Sequence, residues 1–317
     1  MPSELERAVF GRYSPLLVRQ WLAEHVTARL DGTIAEVLFE AGAVGAVWGL
    51  RLADGREVVL KALRPGFDRR RLQAVVRFQN LLVEKGFPAP AVLDGPAETA
   101  GVMAVVEERL QETSTGDPHR AEARAAMATG LARQIDLLRS LDGSDLVAGR
   151  PGWANWECGA WPVPHDPVMD FSTPVPGYEW LDERANAAAA VLRAADGSAA
   201  VIGHSDWVWQ NVCVHEGRFG AGYDWDSLVW APEAAIVGLA AGAFTQGTPV
   251  PPYDPYPEEV AAFLEDYQDA RRARFDAAEL RTTEAAATWV RCYNARIHLD
   301  NWRNRELDPP PGCYLTQ

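Results

Sequence analysis

The sequence predicts an α+β fold of two lobes, a smaller N-terminal one built on an antiparallel sheet with one packed helix and a larger, mainly helical C-terminal one. Three observations lead there. The chain has 317 residues, 48% of them hydrophobic, enough to bury more than one core. Residues 34–63 read as three short strands around an Asp54-Gly55 hairpin signal. Beyond Asp117 the apolar residues recur mainly at helical spacing. The lobes are expected to span residues 1–110 and 111–317.

The strands of the first lobe are read at Ile34 to Phe39, Ala46 to Leu52 and Glu57 to Leu63. Asp68 can cap the helix that follows, where Leu72, Val75, Val76, Leu82 and Val83 form one stripe until Gly86 and Pro88 stop it. A further strand runs from Gly101 to Val106. In the second lobe Asp117-Pro118 is expected to open a helix whose buried stripe is Met127, Leu131, Ile135 and Leu138. Residues 141–200 come next. Their stretch 150–180, with six prolines and Trp153, Trp156, Trp161 and Trp180, suits an ordered but irregular connection. A helix over about 182–195 follows, then short strands at Ala200 to Gly203, Val212 to Val214 and Arg218 to Tyr223. Another helix is expected to start near Ala231. The chain should close in a helical hairpin from Pro257 to about Asn304, with stripes Val260, Phe263, Leu264, Tyr267 and Trp289, Cys292, Tyr293.

Composition excludes several classes. A formal charge of −14 argues against a nucleic-acid partner, which would be held by clustered Lys and Arg. The opening Met1-Pro2-Ser3-Glu4 has no charged n-region and no apolar h-region, and the weakly polar stretch Ala231 to Phe244 is too short to span a bilayer. Neither export nor membrane insertion is expected. Cys158, Cys213, Cys292 and Cys313 lie far apart without metal-ligand spacing, which suits buried thiols in the reducing cytoplasm. Only Lys61 and Lys85 are lysines among 30 basic residues.

The residues that carry chemistry cluster in the second lobe. Val201-Ile-Gly-His204-Ser205-Asp206 is followed by Asn211, five residues after Asp206, and by Tyr223-Asp224-Trp225-Asp226, thirteen residues after Asn211. This order reproduces the kinase catalytic loop H-x-D-x-x-x-x-N and the later metal-binding Asp, each at a strand end. Phosphoryl transfer needs these residue types: Asp206 as the base for a hydroxyl proton, with Asn211 and Asp224 as hard oxygen ligands for Mg²⁺. His204 is read as a buttress of the loop. In the first lobe, Lys61 within Val58-Val-Leu-Lys61-Ala-Leu63 stands where the kinase strand lysine bridges α- and β-phosphates. Gly42 and Gly45 of Glu40-x-Gly42-x-x-Gly45-x-Val47 keep two glycines of a phosphate-covering loop.

On these motifs the chain resembles the aminoglycoside phosphotransferase and choline kinase family, small-molecule relatives of protein kinases, over roughly residues 34–300. That family typically shows H-G-D-x-x-x-x-N and I-D-W-E/D where this chain has His204-Ser205-Asp206, Asn211 and Tyr223-Asp224-Trp225-Asp226. The resemblance implies a protein-kinase-like fold with a nucleotide-binding first lobe, ATP or GTP as phosphoryl donor, and a hydroxyl of a small molecule as acceptor. It also implies a backbone hinge for the nucleotide base, which makes Glu108 and Leu110 candidates. The acceptor expected is a polar, sugar-containing molecule, an antibiotic first and a metabolic sugar, amino sugar or amino alcohol second. Asp170, within His165-Asp-Pro-Val-Met-Asp170-Phe171, and Trp207, Asp266 and Trp289 are its candidate contacts.

Two departures stand out. Ser205 replaces the glycine between His204 and Asp206. Kinases pair the strand lysine with a helix glutamate, yet the helix over 68–85 offers only Gln73 and Gln79 near that place, with Glu84 at its far end. A glutamine would orient Lys61 through a neutral hydrogen bond, weaker than a charge-assisted one. Two rival readings remain: a glycosyltransferase-like D-x-D site at Asp224 and Asp226, which leaves Lys61 and Asn211 unexplained, and a pseudokinase that binds nucleotide without transfer.

Overall fold

A computed structural model describes residues 4–11, 14–42, 45–110, 114, 116–157, 161–163, 169–195, 200–248 and 250–316. The chain divides into two compact units, residues 1–111 and 112–317.

The first unit is a five-stranded antiparallel sheet with helices. Strands β1 (Ile34–Ala41), β2 (Ala46–Leu52), β3 (Glu57–Ala62), β4 (Val92–Thr99) and β5 (Val102–Glu108) take the order β1-β2-β3-β5-β4. Three helices accompany them, α1 (Glu4–Phe10), α2 (Pro15–Leu30) and α3 (Arg69–Glu84). The sequence led to one helix; α1 and α2 are additional, and Val9, Val18, Trp21, Leu22 and Val26 share a core with Trp48, Leu50, Val58, Leu60 and Val106. Pro15 suits the first turn of α2, and Trp21 donates its indole N–H to the Thr99 carbonyl at 2.8 Å, tying α2 to β4. Strand β4 was hidden because Gly95 and Pro96 sit inside it; its register against β5 shifts at that point. Asp68 caps α3 as read, accepting from the backbone N–H groups of Arg70 (2.8 Å) and Arg71 (3.1 Å).

The second unit holds α4 (Ala121–Leu138), α5 (Glu179–Ala195), β6 (Ala200–His204), β7 (Val212–His215), β8 (Arg218–Gly222), β9 (Leu228–Pro232), α6 (Glu233–Ala243), α7 (Pro257–Arg271) and α8 (Ala277–Arg305). Helix α4 starts at Ala121 rather than at Pro118, because the Asp117 carboxylate accepts the His119 N–H at 2.9 Å and makes a turn instead of a cap. Its stripe Met127, Leu131, Ile135 and Leu138 is fully buried as expected. Strand β9, not read in the sequence, begins two residues after Asp226 and includes Ala231, where a helix was expected to start; it pairs antiparallel with β6, opposing His204 to Leu228, and α6 begins only at Glu233. Helix α6 is buried along its whole length against α8. Gly238 permits that closeness, since a Cβ there would lie 2.3 Å from the Thr283 carbonyl oxygen. In the closing hairpin Phe263, Tyr267, Trp289, Cys292 and Tyr293 are buried, whereas Val260 and Leu264 are half-buried. Cys213, Cys292 and Cys313 are buried; Cys158 and His165 lie outside the described residues. Among the described residues no helix is long and apolar enough to cross a membrane.

Candidate active site

In the second unit the end of β6, the short turn at Trp209–Asn211 and the residues after β8 bring the predicted loop residues together. Asn211 is buried, and its amide nitrogen donates to Asp206 twice, to Oδ2 at 2.7 Å and to the backbone oxygen at 3.0 Å. Both donors of the amide are thereby committed, which leaves its carbonyl oxygen as the end that can ligate a cation. The Asp206 carboxyl is pushed up to about 7, chiefly by burial and also by the negative charge of Asp224, with the Asn211 hydrogen bond opposing both. Asp224 sits in the left-handed region at φ 60°, ψ 50°, a conformation costly for most side chains but tolerated by Asp.

His204 does not face solvent. The Asp206 N–H donates to its Nδ1 at 3.2 Å, so its proton lies on Nε2, which donates to the Tyr223 carbonyl at 2.9 Å. One ring therefore ties Asp206, two residues after it, to Tyr223, the residue preceding Asp224. The rings of Trp207 and Trp225 stand edge-on to it at 5.5 and 5.4 Å. The Gln134 amide acts as an added backbone partner for β6, accepting from the His204 N–H at 3.1 Å and donating to the Ile202 carbonyl at 3.2 Å. Ser205, where glycine is usual, gives its hydroxyl hydrogen to the Ser227 carbonyl at 2.8 Å and accepts from the Trp153 indole at 3.1 Å. Neither Gln134 nor Ser227 was singled out in the sequence. A lone buried polar residue in the stripe of α4 was the available signal for the first.

The four acceptor candidates fare differently. Trp207 and Trp289 are fully buried; their indoles donate to the carbonyls of Met127 and Trp153 at 2.9 and 2.8 Å, and Trp207 stacks on Phe219 at 5.4 Å. Both are core residues with no surface to offer a ligand, which corrects the expectation. Asp266 is half-buried and paired with Arg124 of α4 at 2.8 Å. Asp170 is exposed, accepting from the Ser172 N–H at 2.9 Å and from the hydroxyls of Ser172 and Thr173. Those hydrogen bonds hold its carboxyl down to about 2.

In the first unit Lys61 lies on β3 with its side chain only 15% exposed, and its Nζ is 3.3 Å from Glu107 Oε2 on β5. The expectation that a glutamine orients Lys61 directly is corrected: Gln79 of α3 donates to Glu107 Oε1 at 3.0 Å, and Glu107 supplies the charge. Gly42 and Gly45 flank residues 43–44, which lie outside the described set. A Cβ at Gly42 would lie 2.1 Å from the Gly45 oxygen, and one at Gly45 2.5 Å from the Ala62 oxygen, so close backbone approach already demands both glycines. Glu108 ends β5 with its N–H on the Ala91 carbonyl at 2.8 Å, and the half-buried Leu110 follows.

Among the described residues no group of three His, Cys, Asp or Glu side chains could cage a metal. The donor set at Asn211 and Asp224, an amide oxygen and a carboxylate, fits an ion such as Mg²⁺ that takes few protein ligands and completes its shell with water and phosphate.

No protein-family model matches the chain, and no curated protein sequence does. Solved structures do. An amicoumacin kinase, hAmiN, in complex with AMP-PNP, Ca²⁺ and Ami, superposes with a TM-score of 0.65 at 15% identity, covering 97% of this chain and 90% of that one. A macrolide 2′-phosphotransferase of type I gives 0.54 at 16% identity, covering 94% and 98%. The aminoglycoside phosphotransferase APH(3″)-Id from Streptomyces rimosus gives 0.51 at 15% identity, covering 87% and 99%. The chain therefore has the kinase-like α+β fold of the antibiotic phosphotransferases.

Proposed function

We propose that the protein is a phosphotransferase that moves the γ-phosphoryl group of ATP or GTP onto a hydroxyl of a polar, sugar-containing small molecule. The observation that carries the reading is the Asp206–Asn211 contact at 2.7 Å beside Asp224. It couples a candidate base to the residues able to hold the metal. The fold shared with the amicoumacin kinase, whose structure contains AMP-PNP and Ca²⁺, supports a nucleotide and a divalent cation.

In this reading Asp206 accepts the proton of the acceptor hydroxyl as its oxygen bonds to the γ-phosphorus and the bond to the β–γ bridging oxygen breaks, leaving nucleoside diphosphate. Asn211 and Asp224 hold Mg²⁺, which neutralises phosphate charge. Lys61 binds the α- and β-phosphates, the backbone around Gly42 and Gly45 covers them, and that of Glu108 and Leu110 meets the base. His204 positions rather than reacts. Only residues 225–232 separate Asp224 from α6, too few for the activation segment that protein kinases use, which favours a small acceptor. An antibiotic is the first choice, since solved structures of this fold include phosphotransferases named for macrolides and aminoglycosides. Asp170, exposed and anionic, is the remaining acceptor contact; for Asp266 the Arg124 pair already compensates the charge. A reaction drawing on Mg²⁺ and ATP fits the cytoplasm.

The test is incubation of purified protein with Mg²⁺, γ-labelled ATP or GTP and panels of aminoglycosides, macrolides, nucleoside antibiotics, amino sugars and amino alcohols. A mass gain of one phosphoryl group on an antibiotic is expected. Gain on a metabolic sugar or amino alcohol alone would select the second choice. Nucleotide binding with no transfer to any acceptor and no hydrolysis would identify a pseudokinase.

A further inference from the structure

Lys61 is held by a carboxylate from a neighbouring strand instead of a helix. Strands β3 and β5 pair antiparallel with Lys61 opposite Val105 and Val59 opposite Glu107, so Glu107 lies diagonally across from Lys61 on the same face of the sheet. The Nζ to Oε2 distance is 3.3 Å, and the two side chains are 15% and 6% exposed. Burial makes an uncompensated charge at either position expensive, so each charge is a reason for the other. Helix α3 carries no acidic residue before Glu84. At the point where it meets Glu107 it places Gln79, itself 1% exposed, whose amide nitrogen donates to Glu107 Oε1 at 3.0 Å and to the Pro90 carbonyl at 2.8 Å. A neutral donor is what a carboxylate at 107 requires there, because a second carboxylate would repel the first.

We propose that Glu107 is the positioning residue for the phosphate-binding lysine, with Gln79 clamping its carboxylate, so that the charge a kinase ordinarily carries on the helix is carried here on the strand and the helix supplies an amide instead. This rests on the phosphotransferase reading for its catalytic consequence but not for its geometry. Glu107 Oε2 holds the Lys61 ammonium by a charge-assisted contact, and the Gln79 bond to Oε1 stops the carboxylate from rotating away. The Lys61 head thus meets a triphosphate already oriented.

Exchange of the two side chains tests it. Glu107→Gln and Gln79→Glu, made singly, should each lower kcat/KM for nucleotide by about tenfold or more, with kcat falling as well as KM rising. The double variant, which keeps one carboxylate and one amide in the same pocket, should recover to within a few-fold of wild type. A second readout needs no turnover. Because Lys61 and Lys85 are the only lysines, reductive ¹³C-methylation yields two side-chain signals, assigned by Lys85→Arg. In nucleotide-free wild type the two methyl groups on Lys61 should be inequivalent, as in a held ion pair, and in Glu107→Gln they should merge. If Lys61→Ala abolished nucleotide binding while Glu107→Gln left kcat, KM and the methyl signals unchanged, Glu107 would have no positioning role. Failure of the double variant to recover while it melts as wild type does would equally overturn the exchange. Absence of phosphoryl transfer in wild type, with the methyl signals behaving as stated, would defeat the phosphotransferase reading and leave the Lys61–Glu107 pairing in place.

Discussion

Asp206 is fastened on three sides, by its own N–H on His204 and by the Asn211 amide at its backbone and its carboxylate. Asp206→Asn keeps the shape and an oxygen for the Asn211 donor, so the loop should persist while the proposed base is lost. Turnover should fall by about 10²-fold or more with nucleotide affinity nearly unchanged, as read by steady-state kinetics beside calorimetry. Asn211→Ala acts on two roles at once, removing the proposed cation ligand and both donors to Asp206. Asp224→Ala removes the other proposed ligand and the negative charge that helps raise the Asp206 carboxyl. Both should raise the Mg²⁺ concentration needed for half-maximal nucleotide binding, measured by titrating the metal at fixed nucleotide. An unaltered Mg²⁺ requirement in both variants would place the cation elsewhere.

At the scale of elements, helix α6 has no exposed face, and its first residue is a buried carboxylate at the centre of a charge cluster. Burial raises the Glu233 carboxyl, but Arg139 at 2.6 Å, the Tyr267 hydroxyl at 2.7 Å and Arg271 at 3.3 Å together hold it below its ordinary value. Farther along, Gly238 lies so close to α8 that Gly238→Ala must push the helices apart. A loss of about 1–3 kcal/mol in denaturant unfolding is expected, the usual cost of overpacking. Periodicity revealed α3, α4, α7 and α8, because each shows apolar residues at helical spacing against a polar remainder. The same reasoning passed over α2, whose exposed Leu16 and Leu17 blur its stripe, and β4, interrupted by Gly95-Pro96. Within the site, Asp206, Asn211 and Asp224 were legible because spacing along a loop survives folding. The pairing of Lys61 with Glu107 was not, since it joins residues 46 apart whose meeting depends on β5 lying beside β3. The aromatic candidates misled for the opposite reason: Trp207 and Trp289 look like a stacking platform in sequence, yet a buried indole with its N–H on a carbonyl serves packing equally well.

For the whole molecule, two histidines in different units make stability depend on pH in one direction. Burial lowers His25, with Asp94 opposing and Arg29 assisting, and burial alone pushes His298 down to about 4. In the unfolded chain both take a proton near 6.5. As pH falls from 6.5 towards 4 the unfolded state binds protons that the fold refuses, so stability falls over that window, by at most about 1.4 kcal/mol per pH unit for each histidine. Asp206, with its raised carboxyl, pulls the opposite way in the same range, so the histidine share is read as a difference. Denaturant unfolding of wild type and His298→Gln at pH 7 and pH 5 should show a smaller loss in the variant; equal losses would show that His298 is protonated as easily folded as unfolded.

The strand-to-strand pairing of Lys61 bears on control. In protein kinases activity is gated by moving the helix that carries the lysine's glutamate, so that one swing disarms the enzyme. Here both charges belong to adjacent strands of one hydrogen-bonded ladder, and a shift of α3 would cost the Gln79 contact but not the pair itself. On the phosphotransferase reading, a swing of α3 would loosen the Glu107 carboxylate without carrying either charge away from the other, so helix movement would dim the lysine rather than disconnect it.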